Sequence, residues 1–180
     1  MTVRTHVAAC FAISLIVTGA AAQEPAKDKV VPAVGVAVLE PLLPQADGWT
    51  RGAVRSNKIS SDDCGYTYVD AVYAKGESRV RLTVADTGFD SGALSALVPS
   101  VISLPEGYSG KILPATTVDR LVFQGFPAAA RVDGEKAEAD FEVLAGRRFV
   151  AKGEGTHVTG IDPVRDLVGK IDLKKLAGLQ

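Results

Sequence analysis

The chain is poor in the side chains on which many enzymes and metal sites depend. Its 180 residues hold 2 cysteines, 2 histidines, 1 tryptophan and 1 methionine. Cys10 and His6 both lie within the first 22 residues. Without that stretch, Cys64 and His157 stand alone. A single cysteine excludes an internal disulfide. A single histidine excludes histidine triads and zinc sites built on several histidines. Charge of one sign is lacking too, with 20 Lys+Arg against 21 Asp+Glu and a net charge of −1. That balance lacks the basic footprint of a nucleic-acid binder and gives no field for an anionic membrane surface. No apolar run reaches the ~20 residues needed to span a bilayer. There is no Gly-rich phosphate loop and no Gly-x-Ser-x-Gly elbow. Asp133-Gly134-Glu135 is too short for a calcium loop. No cofactor and no metal site are expected.

What is present begins with a leader. Arg4 is followed by an apolar stretch from Val7 to Val17, then by Thr18-Gly19-Ala20-Ala21-Ala22 and the polar Gln23-Glu24-Pro25. This is the layout of a secretory signal peptide, residues 1–22, with cleavage expected after Ala22. The expected location is the periplasm or the exterior. Loss of Arg4 would move the net charge from −1 to −2. Residues 23–45 read as a flexible leader and a Pro-rich arm, broken by Pro32, Pro41 and Pro44. Residues 46–180 are long enough to bury a core as a single domain without staples.

Within that domain, Trp49–Arg55 reads as a first strand and the polar Ser56–Asp63 as a loop. Tyr66–Ala74 is rich in Tyr and Val and suits a strand. Ser78–Asp86 alternates, with Val80, Leu82 and Val84 against Arg79, Arg81 and Thr83. A period of two with one polar face marks a half-buried antiparallel strand, so these two segments should form a hairpin. Phe89–Ser103 has helical spacing, opposed by Pro99. Val118–Phe123 and Ala128–Val132 read as strands. Asp133-Gly134 signals a turn. Ala137–Leu144 alternates cleanly, and Arg148–Glu154 should pair with it, setting Arg148 and Lys152 across from its acidic row. The final segment predicts one helix, with Asp162 as N-cap, Pro163 at the first position and Val164, Leu167, Val168 and Ile171 on one face. The expected architecture is α+β: a twisted antiparallel sheet of about six or seven strands covered by helices.

Candidate site residues are few. Cys64 is a reactive or metal-binding thiol, or a small buried apolar side chain. His157 is a proton carrier or lone ligand, or a solvated loop histidine. Glu138, Asp140 and Glu142 alternate on one strand face, ~6.5–7 Å apart, a separation that overlaps that of an inverting carboxylate pair. The plainer reading is a wet sheet face with basic residues opposite. Gly125-Phe126-Pro127, with Leu104, Tyr108, Ile112 and Leu113, either forms an apolar lip that binds something or closes the core beneath a loop.

Gly48-Trp49, Tyr66-x-Tyr68, Asp86-Thr87-Gly88-Phe89, Gly125-Phe126-Pro127, Arg148-Phe149-Val150 and Pro163-Val164-Arg165 with Lys170-Ile171-Asp172-Leu173-x-x-Leu176 carry a resemblance. Over most of residues 45–178 the chain resembles small exported bacterial proteins of unknown function. Its strand–helix order is similar to the Mog1/PsbP-like α/β sandwich. The resemblance implies binding or assistance of other proteins, and no site residues carry over from it. Sequence and resemblance together lead to an exported accessory or binding protein without catalysis. It would engage a protein partner or a small apolar ligand through Tyr108, Phe126, Pro127 and Trp49. The competing expectation is a small hydrolase or ligand carrier with a carboxylate-lined pocket, using Glu138, Asp140 or His157.

Overall fold

Alternating apolar side chains become a sheet only when each strand finds a partner of matching register. In this chain nearly every such segment does. The computed structural model describes residues 32–61, 64–88, 109–113 and 116–179. The strands are β1 (Thr50–Arg51), β2 (Arg55–Ser61), β3 (Cys64–Lys75), β4 (Ser78–Asp86), β5 (Ser109–Leu113), β6 (Thr116–Phe123), β7 (Phe126–Asp133), β8 (Glu138–Ala145) and β9 (Phe149–Thr156). They form one nine-stranded sheet in the order β1-β3-β4-β9-β8-β7-β6-β5, with β2 also on β3. Every pairing is antiparallel.

This corrects the expected fold class. The sheet is wider than six or seven strands, and the helices among the described residues are short. They are α1 (Val36–Leu39), followed directly by a 3-10 turn at Glu40–Leu42, α2 (Asp162–Val168) and α3 (Leu173–Ala177). Two misread segments account for part of the difference. Ser56–Asp63 reads as a loop because it is polar. In the structure β2 runs through Ser61, in register with β3 from Arg55↔Asp70 to Ser61↔Cys64. A strand at a sheet edge with its side chains in water needs no apolar alternation. The expected first strand, Trp49–Arg55, is instead split, and β1 ends at Arg51 before β2 opens at Arg55.

The C-terminal helix is likewise two helices. Asp162 is the first helical residue of α2 and Ile161 holds the cap position. α2 stops at Val168, and Asp172 caps α3 by accepting a hydrogen bond from the Lys175 N–H at 2.9 Å. The apolar spacing continues through the break because Ile171 is buried along with Val168 and Leu173. The predicted Phe89–Ser103 helix lies outside the described residues.

One face of the sheet makes the core. Val69, Ala71 and Tyr73 on β3, Val80, Leu82 and Val84 on β4, and Ala139, Phe141 and Val143 on β8 are buried there. α2 lies so close on β9 that only glycine fits beneath it. A Cβ at Gly153 would stand 2.5 Å from Val164 Cγ1, and one at Gly155 would stand 2.6 Å from Val164 Cγ2. The segment from Val36 to Ala46 belongs to this core, since Leu39, Leu42, Leu43 and Ala46 are buried in it. Tyr73 fixes that segment by donating its hydroxyl to the Pro44 carbonyl at 2.7 Å.

A buried ion pair fixes its start. Arg148 Nε and Nη2 donate to Asp86 Oδ1 and Oδ2 at 2.6 and 2.7 Å. The Val34 and Gly88 N–H groups also donate to Asp86, and Arg148 Nη2 donates to the Pro32 carbonyl. Arg148 therefore serves this buried junction and not the acidic row of β8. A buried pair repays its desolvation only when its remaining donors and acceptors are satisfied, as these are.

Candidate functional site

Helices α2 and α3 pack on β4, β8 and β9. The sheet continues past them through β7, β6 and β5, and the inner face there forms a cleft of about 300 Å³ beside the start of α2. Its apolar lining is Leu121, Ala130, Phe141 and Ile161, and its polar lining is Ser109, Asp119, Arg120 and Arg165. Strand alternation puts Asp119 and Leu121 on the inner face, across from Ala130 and Ala128. The ring of Phe141 is held by an edge-to-face contact with Phe123, centroids 5.0 Å apart. Arg165 is tied to Asp162 at 2.7 Å.

The opposite, outer face is charged. Across β8, β9, β4, β3 and β2 one rung reads Glu142, Lys152, Thr83, Asp70, Arg55, and the next reads Asp140, Glu154, Arg81, Val72 from β8 to β3. Most of these charges are paired. Arg131 holds Asp140 at 2.6 Å, Lys152 holds Glu154 at 2.8 Å, and Arg55 holds Asp70 at 2.5 Å. Glu142 is the exception. It is 7 % exposed, and among the described residues its Oε2 has no hydrogen-bond partner. Burial, reinforced by Asp140 and Glu154 and opposed by Lys152, pushes its carboxyl up to about 7. Burial also raises the Tyr66 hydroxyl, which feels both Lys152 and Glu142. A shallow groove of about 370 Å³ crosses this face between β2 and β9, lined by Arg55, Tyr66, Tyr68, Asp70, Arg81, Thr83 and Glu154.

The residues singled out from sequence are dispersed. Phe126 is half-buried against the core, and Pro127 is exposed beside Val122, which is 59 % exposed. Trp49 is also half-buried on the core, with Lys75 Nζ 6.0 Å from its ring. Five strand spacings, roughly 24 Å, separate β1 from β7, so Trp49 and Phe126 do not share one patch. Tyr108 and the side chain of Cys64 lie outside the described residues. Cys64 opens the 12-residue strand β3, whereas His157 follows β9 at the other end, where its carbonyl accepts from Ser78 Oγ at 2.8 Å. They are on the order of 35 Å apart by strand rise. Cysteine, histidine and paired carboxylates therefore do not converge on one catalytic centre.

Of the acidic row, Glu138, Asp140 and Glu142 do share the outer face of β8, and Lys152 stands directly across from Glu142. The groove residues Asp70 and Arg55 went unrecognised because their meeting depends on β2 being a strand. The readable signal was the alternation Tyr66-x-Tyr68-x-Asp70, which sets three polar-tipped side chains on one face. Among the described residues no helix is long and apolar enough to cross a membrane. Comparison with protein-family models, with curated proteins and with solved structures finds no match to this chain.

Proposed function

We propose that the chain is an exported binding protein without catalysis, and that it receives an apolar ligand or a partner's apolar side chain in the cleft beyond α2. One observation carries this reading. Among the described residues the sheet extends past α2 and α3, and that part keeps an apolar floor of Leu121, Ala130, Phe141 and Ile161 with a polar rim. An apolar interior with a few polar groups at its mouth is the usual make-up of a ligand site, although this cleft stands at the small end of the ~300–1,000 Å³ range. The ion-pairing of Asp140, Glu154 and Asp70 supports the non-catalytic part, because a carboxylate held by a cation is a poor proton carrier. Titration with the apolar fluorophore 1-anilinonaphthalene-8-sulfonate tests it. Saturable fluorescence that disappears in a folded Leu121→Arg variant is the expected result. Equal fluorescence from both proteins refutes the cleft.

Glu142 favours a second reading, the small hydrolase. A carboxyl raised to about 7 suits a general acid at neutral pH. Turnover of chromogenic glycosides or esters, abolished in Glu142→Gln, is its test.

A further inference from the structure

We propose that the groove on the outer face, built around Tyr66 and Tyr68, binds a neutral polyhydroxylated ligand of one or two sugar rings. This site lies on the other side of the sheet from the apolar cleft and stands independently of it.

The location limits what a ligand can touch. The groove crosses β2, β3, β4 and β9, whose backbone groups, except along the outer edge of β2, are spent in the ladder. Recognition must therefore come from side chains. The charged ones cancel: Arg55 and Arg81 against Asp70 and Glu154. Asp70 is 5 % exposed, and Arg55 Nε and Nη2 donate to its Oδ1 at 3.1 and 2.5 Å while Arg81 Nε stands 3.9 Å away. Glu154 accepts from Lys152 Nζ at 2.8 Å. An anion would have to compete with Asp70 and Glu154 for the guanidinium groups, and a cation with Arg55 and Lys152 for the carboxylates. A hydroxyl group, which donates and accepts at once, adds to them without displacement, since guanidinium offers several N–H donors and carboxylate several acceptor sites.

The aromatic content points the same way. The Tyr66 and Tyr68 rings are 5.7 Å apart and inclined at 45°. Such half-buried rings present apolar surface next to polar tips. A sugar has matching parts, with C–H groups for the rings and hydroxyls for Asp70, Arg81, Thr83 and Glu154. Size decides between a small molecule and a protein. About 370 Å³ accommodates a small ligand. A stable protein partner requires about 800 Å² on each side, more than a groove of this volume supplies.

The test is a two-dimensional amide NMR titration of the full chain. The probes are maltose, cellobiose and N,N′-diacetylchitobiose, with glucosamine and glucose 6-phosphate as charged controls, each up to about 20 mM, which detects millimolar affinity. The expected result is saturable shifts at Arg55, Tyr66, Tyr68 and Thr83 with at least one neutral disaccharide. Affinity should fall about tenfold, equivalent to ~1.4 kcal/mol, in Tyr68→Ala and in Arg81→Met, and stay unchanged in Leu121→Arg. Arg81 is half exposed, so its variant remains informative even if Tyr68→Ala misfolds. Three results overturn the proposal: no shifts with any neutral sugar, shifts with the charged controls only, or unchanged affinity in both groove variants.

Discussion

Replacing Glu142 by glutamine should change how stability depends on pH. In the folded protein burial holds this carboxyl up to about 7, against an ordinary value of 4.5. Between those values the folded state keeps a proton that the unfolded state releases. Stability from this group is therefore fully present below about 4.5, falls as pH rises through the interval, and is flat above about 7. A displacement of this size corresponds to on the order of 3 kcal/mol. The side chain is 7 % exposed, so solvent screening takes away little. Glutamine has the same shape and never ionises. Urea denaturation of both proteins at pH 4.5, 6 and 8 measures the effect. Relative to wild type, the variant should gain on the order of 3 kcal/mol between the lowest and highest pH, equivalent to roughly 6–12 °C in Tm for a domain of this size. A stability difference between the two proteins that stays constant within about 0.5 kcal/mol across that range refutes the reasoning.

Three other expectations follow from the packing and the leader. Gly153→Ala forces a methyl against Val164 and should cost about 1–3 kcal/mol in chemical denaturation, although alanine is ordinarily the less costly residue in a strand. Asp86→Asn leaves the Arg148 guanidinium buried without its counter-charge and should destabilise by about 3–5 kcal/mol, with faster proteolysis in the segment after Pro32 that the pair anchors. If the chain is exported as proposed, mass spectrometry of the secreted protein should find an N-terminus at Gln23, and an intact Met1 would refute cleavage.

The parts of the fold legible in the sequence were those where water and core leave a period of two. Ser78–Asp86 alternates, and β4 occupies those residues. The hairpin with Tyr66–Ala74 forms, with β3 extending two residues before it and one after. The acidic alternation of β8 was also visible. What it could not reveal is that Asp140 is paired while Glu142 is stranded, because that depends on Arg131 and Lys152 arriving from two other strands. Strand β2 was illegible because an exposed edge imposes no apolar pattern. The break between α2 and α3 was hidden because apolar spacing runs through it. The cleft was invisible for a different reason: it arises where β5, β6 and β7 extend past the described helices, a property of the assembled sheet and not of a local segment.

The placement of β9 between β4 and β8 has a consequence for synthesis. Residues 50–86 and residues 109–145 each build a separate antiparallel stack, and among the described strands those stacks share no ladder until Phe149–Thr156 is inserted between them. Phe149–Thr156, which leaves the ribosome after the other described strands, is thus the keystone of the sheet. A chain halted before it leaves β4 and β8 without the partner that joins them, and such edges stay open to chaperones, proteases and other copies until β9 emerges.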